Sequence, residues 1–198
     1  MGPIMIVTGS NRTRAQSSRV GAIVQQMLAQ KKIDTDILDL SQTHLPFWDE
    51  DKGSLKGIWG EIWPPVSRRF AQAEGFVFIT PEYNGMVTPH LKNIFLLCSD
   101  GELAHKPGLI ISISSGTGGT YPVSELRMSG YKNTKINWIP EHLILKNVEH
   151  LELDQPHEKI PSWLPSRMEY TLNLLVAYAK ALGPVRDVMD EKRYGAGM

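Results

Sequence analysis

Apolar and polar positions along this chain switch between two periods. Unbroken apolar runs of strand length occur at residues 3–8 (PIMIVT), 75–80 (GFVFIT) and 107–114 (PGLIISIS). Runs of this kind, closed by turn residues, suit strands buried on both faces of a parallel sheet. Two further strands are expected at residues 34–40, where Ile37, Leu38 and Leu40 carry the pattern, and at 136–145. Between strands the period lengthens to that of a helix: Val20, Val24, Met27 and Leu28 place one over residues 18–29. Other helices are expected from Pro64-Pro65 to about residue 73, and over 89–99, 123–132 and 163–182. The proline pair is assigned to a helix start because proline is tolerated in the first turn. Gly183-Pro184 should stop the last helix. Residues 45–55 and 148–161 are polar and read as surface loops, and the tail after 184 reads as loosely held.

Strands alternating with helices through short connections imply an α/β, doubly wound parallel sheet. A chain of 198 residues with no internal repeat suits a single domain with a sizeable core. The 21 basic and 21 acidic residues cancel, so nothing marks a nucleic-acid partner, an anionic membrane or the acidic surface of a one-electron carrier. No apolar run approaches the roughly 18 residues of a membrane span, and no basic leader precedes Ile4, so the expected location is cytoplasmic. Cys98 is the one cysteine, which excludes an internal disulfide or a cysteine-ligated cluster. His142, His150 and His157 lack metal-ligand spacing, and no metal site is expected. The absence of Gly-x-Ser-x-Gly disfavours a serine hydrolase of α/β type.

Chemistry is expected at the carboxyl ends of the first, third and fourth strands, which are neighbours around the switch point of such a sheet. The first strand runs into Gly9-Ser10-Asn11-Arg12-Thr13-Arg14-Ala15-Gln16-Ser17-Ser18. Hydroxyls, an amide and a guanidinium ahead of a helix N-terminus suit a phosphate. Neither Gly-Lys-Ser/Thr nor Gly-x-Gly-x-x-Gly is present, so a terminal monophosphate fits better than a dinucleotide pyrophosphate. The third strand ends in Thr80-Pro81-Glu82-Tyr83-Asn84-Gly85, where an aromatic, an amide and a glycine suit a flat polar heterocycle. The fourth ends in Ser114-Ser115-Gly116-Thr117-Gly118-Gly119, whose glycines permit close backbone approach to a ring.

Pro81-Glu82-Tyr83-Asn84 with the later Leu91-Lys92-Asn93, and Gly9-Ser10 with Arg12, resemble two motifs of the FMN-dependent NAD(P)H reductases, a flavodoxin-like group that includes quinone, azo-dye and chromate reductases. The resemblance implies a five-stranded sheet in the order 2-1-3-4-5. It implies bound FMN, with NADPH or NADH as electron donor and a small-molecule oxidant as acceptor. Hydride would pass through flavin N5 with ping-pong kinetics, no side chain acting as acid or base. It implies that Ser10 and Arg12, with a choice among Gln16, Ser17 and Ser18, meet the phosphate. Pro81, Glu82, Tyr83, Asn84 and Gly85 would border the ring. Backbone N–H groups of Ser115, Gly116, Thr117, Gly118 and Gly119 would face its pyrimidine edge. Glu82 is expected to pin a loop, and His90, Lys92 and Asn93 to pack or cap. A homodimer or homotetramer is implied as well, to which the tryptophans Trp48, Trp59 and Trp63 add support as interface, cleft or core residues. The competing reading is a non-catalytic FMN-binding sensor or electron-carrier module.

Overall fold

Five parallel strands, β1 (Ile4–Thr8), β2 (Thr35–Asp39), β3 (Gly75–Pro81), β4 (Pro107–Ile113) and β5 (Asn137–Leu145), form one sheet in the order β2-β1-β3-β4-β5. The flavodoxin-like order expected from the motifs is therefore the observed one. The computed structural model describes residues 1–151 and 161–189. The expectations for most of 148–161 and for the end of the tail fall outside the described residues.

Every residue of β1, β3 and β4 is buried, which is why these strands are continuous apolar runs. Helices cover both faces. α1 (Gln16–Gln30) and α6 (Leu164–Ala181) pack Val20, Val24, Leu172 and Leu175 against Ile4, Ile6, Val77 and Ile79. On the other face α2 (Trp59–Gln72), α3 (Pro89–Leu97) and α4 (Thr120–Met128) meet Met5, Val7, Phe76 and Phe78. There Phe70, Phe76, Phe78 and Phe95 run as a chain of ring contacts, with centroids 5.8, 5.7 and 5.1 Å apart.

Several boundaries differ from those read in the sequence. α2 begins at Trp59, so Pro64 and Pro65 lie in its second turn rather than its first. They deprive the carbonyls of Gly60 and Glu61 of their helical donors. Burial of two indoles four residues apart outweighs that loss: Trp59 and Trp63 are 1% and 2% exposed. Trp59 also donates from Nε1 to Asp49 at 2.7 Å. These two tryptophans are core residues and lend no support to an interface, whereas Trp48 is 49% exposed. Residues 45–55 contain a short 3₁₀ turn, Glu50–Ser54, rather than loop alone. The helix expected over 123–132 starts earlier and breaks at Gly130, whose φ of 78° ends α4 and opens the short α5 (Tyr131–Thr134).

Gly183-Pro184 ends α6 but opens a further short helix, α7 (Gly183–Val188), with proline in its first turn. Arg186 of this helix forms an ion pair with Glu74 beside the start of β3, so this part of the tail is anchored. Among the described residues no helix is long and apolar enough to cross a membrane.

Lys106 is the least expected core residue. It is 6% exposed, and its ammonium donates to the carbonyls of Phe70, Ala71 and Glu102 at 3.0, 2.8 and 2.9 Å. It thereby supplies donors to the C-terminal carbonyls of α2. Burial, with Arg186 nearby, pulls its pKa down to about 8. Lys106→Met should lower the unfolding free energy by about 1–2 kcal/mol: Phe70 O keeps the Ala73 N–H and Ala71 is exposed, so Glu102 O is the main loss, and a buried carbonyl left unsatisfied costs roughly 1–3 kcal/mol. Urea denaturation measures it, and a loss below about 0.5 kcal/mol would show that water replaces the ammonium freely.

Candidate functional site

β1 and β3 are adjacent, but the helices that follow them leave on opposite faces, and the crevice between opens at their carboxyl ends. A cleft of about 510 Å³ lies there. Of the residues singled out from the sequence, Ser10, Arg12, Gln16, Ser17, Pro81, Glu82, Tyr83, Asn84 and Ser115 line it. Ser18, Gly85, Gly116, Thr117, Gly118 and Gly119 do not. Arg14, Ile113, Ser114, Val148 and Glu149 line it as well.

The first loop continues β1 along β3, with the Gly9 N–H donating to Ile79 O at 2.8 Å. Its carbonyl accepts from the Thr88 hydroxyl at 2.5 Å, and that same Thr88 caps α3 through Leu91 N–H. The backbone of the phosphate-type loop and the start of α3 are thus joined by one residue. Ser10 is buried, and its Oγ accepts the Arg12 N–H at 3.1 Å. The Arg12 guanidinium lies 4.7 Å from the Tyr83 ring centroid.

α1 begins at the cleft with Ala15 as its N-cap, which offers no side-chain oxygen to the first-turn N–H groups. Ser17 is fully buried at this end, and its hydroxyl has no hydrogen-bond partner among the described residues. An orphan hydroxyl and an uncapped helix N-terminus, flanked by Arg12 and Arg14, fit a terminal phosphate. Gln16 is oriented by Arg19, whose Nε donates to Oε1 at 2.7 Å and leaves the amide NH₂ as the free end. Ser18 is turned away from the lining, so Gln16 and Ser17 are the two members of that trio in reach.

Arg19 is the main residue that sequence reasoning missed. Its guanidinium also donates to the carbonyls of Val148 and Leu151 at 2.5 and 2.9 Å. These contacts hold the chain after β5 against the first turn of α1 and bring Glu149 to the cleft. Its i,i+3 spacing from Gln16 was visible in the sequence, whereas partners well over a hundred residues away were not.

In the second loop Tyr83 and Met86 exchange N–H···O bonds of 3.0 Å across Asn84 and Gly85. With φ of 50° at Asn84 and 73° at Gly85, this is a two-residue hairpin turn of type I′. Gly85 shapes the turn rather than the cleft, and the Asn-Gly pair was the available signal.

Glu82 joins this loop to the third: its Oε2 accepts the Gly119 N–H at 2.6 Å. Gly118 sits tightly beside it, since a Cβ there would lie 2.7 Å from Glu82 Oε1. Glu82 has the geometry of a loop-pinning carboxylate. The same bonds correct the expectation that the whole loop presents its N–H groups to a ring. The Gly119 N–H is committed to Glu82, and that of Gly116 to Ser114 Oγ at 3.2 Å. Gly116 has open space where a side chain would stand, which leaves the backbone approachable by a flat ring. Ser115 donates to Glu149 at 3.2 Å across the loop.

The remaining motif residues pack. Asn93 donates to Pro46 O and accepts from Trp48 N–H, both at 2.8 Å, and so pins the 45–55 segment. Lys92 pairs with Glu125 at 3.1 Å. His90 lies against Phe47, ring centroids 5.6 Å apart.

Comparison with known proteins identifies the family. The family described as NADPH-dependent FMN reductase matches residues 3–150. An NAD(P)H-dependent FMN reductase of Schizosaccharomyces pombe is 27% identical over 148 residues, 67% of this chain and 68% of that protein. FerB, a flavoenzyme NAD(P)H:(acceptor) oxidoreductase from Paracoccus denitrificans, superposes with a TM-score of 0.72 at 16% identity, covering 91% of this chain and 98% of FerB. The NADH:FMN oxidoreductase EMOB superposes with a TM-score of 0.65 at 12% identity, covering 92% of this chain and 91% of its own. At such identities the structural likeness establishes the flavodoxin-like fold, and the family match, which spans most of the chain and all three loops, establishes more. The chain belongs to the NADPH-dependent FMN reductase family and is an oxidoreductase that uses FMN and NAD(P)H.

Proposed function

We propose that this chain works as one FMN-binding domain. It takes hydride from NAD(P)H and passes electrons to a small oxidant: a quinone, an azo compound, a metal oxyanion or free flavin. The observation that carries this reading is the convergence of three loops on one cleft. Phosphate-type donors stand at the α1 end, and the third loop reaches the cleft through Ser114 and Ser115, next in sequence to the open backbone of Gly116. FMN, when bound, supplies the hydride-accepting centre and the two-electron store. Ser10, Arg12, Gln16 and Ser17 hold its phosphate. Pro81, Tyr83, Asn84, Ser115 and the backbone of Gly116, Thr117 and Gly118 border its ring. Glu82 and Gly119 fix the wall from behind, Gly85 sets the turn, and Ser18 supports α1. NADPH is the favoured donor, in keeping with the family. A demand for reduced dinucleotide favours the cytoplasm as the place of action.

The protein assembles as a homodimer or homotetramer in this reading. Trp48 and Leu96, 49% and 58% exposed, line a groove of about 630 Å³ that also reaches α4 and α5.

Three outcomes are expected. The purified protein with FMN should oxidise NADPH in the presence of a quinone, giving parallel double-reciprocal lines and a deuterium isotope effect from the nicotinamide C4 position. Bound FMN without such turnover would favour a sensor or carrier instead. Arg12→Ala should raise the dissociation constant for FMN about tenfold, the lower end for a charge-assisted hydrogen bond because the guanidinium is solvent-exposed. Fluorescence titration reads the change, and a larger loss from Arg14→Ala would make Arg14 the phosphate ligand. Light scattering should give at least twice the monomer mass, and a concentration-independent monomer would end the assembly proposal.

A further inference from the structure

The Ser10 hydroxyl is placed so that its hydrogen-bond directions can be counted. A serine hydroxyl has one proton and two acceptor positions. Its Oγ accepts the Arg12 N–H at 3.1 Å, and the Tyr83 phenol oxygen lies 2.9 Å from the same atom. Ser10 is 2% exposed, and the residue borders the cleft. If the phenol were the acceptor, the serine proton would point at Tyr83 and a lone pair at the cleft. An anion there would then meet a lone pair. If the phenol is the donor, both acceptor positions are filled from within the protein and the serine proton is left for the cleft. A phosphate requires the second arrangement.

We infer that Tyr83 is a positioning residue for the terminal phosphate of the flavin, its phenol donating to Ser10 Oγ so that Ser10 becomes an obligatory donor to the anion. This rests on the proposed FMN reading and goes beyond it, since the motif resemblance places Tyr83 beside the ring. Two further features agree. The type I′ turn at Asn84-Gly85 and the paired N–H···O bonds between Tyr83 and Met86 fix the backbone from which the phenol extends. The Tyr83 ring carries the Arg12 guanidinium at 4.7 Å, so one side chain orders both first-loop groups, Ser10 and Arg12. The consequence is selectivity. Tyr83 should matter for FMN, which bears the phosphate, and hardly at all for riboflavin, which is the same ring and ribityl chain without it.

The test compares dissociation constants for FMN and riboflavin, by quenching of flavin fluorescence, across the full-length protein and the variants Tyr83→Phe, Ser10→Ala and the double variant. Tyr83→Phe keeps the ring and removes only the hydroxyl. It should weaken FMN about fivefold, the size of one net neutral hydrogen bond, and leave riboflavin within about twofold. Ser10→Ala should show the same pattern. The double variant should be no weaker for FMN than Ser10→Ala alone, because the phenol acts only through the serine. Equal weakening of both flavins by Tyr83→Phe would make Tyr83 a ring contact and overturn the inference. So would an unchanged FMN affinity, or losses that multiply in the double variant. An unsubstituted protein that bound neither flavin would instead remove the cofactor reading, and this inference with it.

Discussion

The whole site depends on one constraint in the sheet: β1 and β3 lie side by side, yet their chains continue on opposite faces. Both strands are buried on both sides, so consecutive residues feed alternate cores. Ile4 and Ile6 pack with α1, and Met5 and Val7 pack with α2 and α3. Once α1 must cover one face and α3 the other, the two loops leaving these strands separate and a crevice opens between them. The N-terminus of α1 then points its unsatisfied N–H groups into the crevice without any special device. The phosphate-type chemistry of the first loop is therefore a consequence of core packing, and Ser17 and Gln16 decorate a field that the helix already supplies.

Keeping the crevice in shape falls to polar contacts that cross between elements. Thr88 joins the first loop to α3, Glu82 joins the second loop to the third, and Arg19 joins α1 to the chain after β5. Glu82 and Arg19 use ionised groups to hold backbone, and such bonds are stronger than neutral ones. The walls are thus fixed by residues that show little of themselves to the cleft. Glycine supplies the tolerance: at Gly118 there is no space for a side chain beside Glu82, whereas at Gly116 the backbone stands open.

Much of this was legible in the sequence. Unbroken apolar runs announced β1, β3 and β4, and their punctuation by Gly-Ser-Asn, Pro-Glu-Tyr-Asn and Ser-Gly-Thr-Gly-Gly placed the loops at the carboxyl ends. What failed to show was set by burial and distance. The proline pair at 64 and 65 looked like a helix start because local propensity favours it there, but two buried indoles extend the helix past it. The Arg186–Glu74 pair and the grip of Arg19 on Val148 and Leu151 join residues over a hundred positions apart, and no local pattern records such partners. The buried ammonium of Lys106 depends on carbonyls of Phe70, Ala71 and Glu102, and the spacing to α2 left no local pattern either.

The ionisable groups of the cleft are notable for how fully they are occupied. Glu82 accepts from the Gly119 backbone, Glu149 from Ser115, and the Tyr83 phenol shares a hydrogen bond with Ser10. The one cysteine, Cys98, does not line this cleft: it is 1% exposed at the end of α3, where burial pushes its pKa well up. General acid–base catalysis needs a group free to exchange its proton with a substrate in reach. Here the two carboxylates and the phenol at the cleft hold other parts of the protein instead. Such an arrangement suits a reaction whose bond-making is done by the cofactor, where the chain contributes orientation, a fixed field and an open approach. A side chain that holds a loop and one that transfers a proton can both be polar and both line a cleft, and the hydrogen bonds each already makes tell them apart.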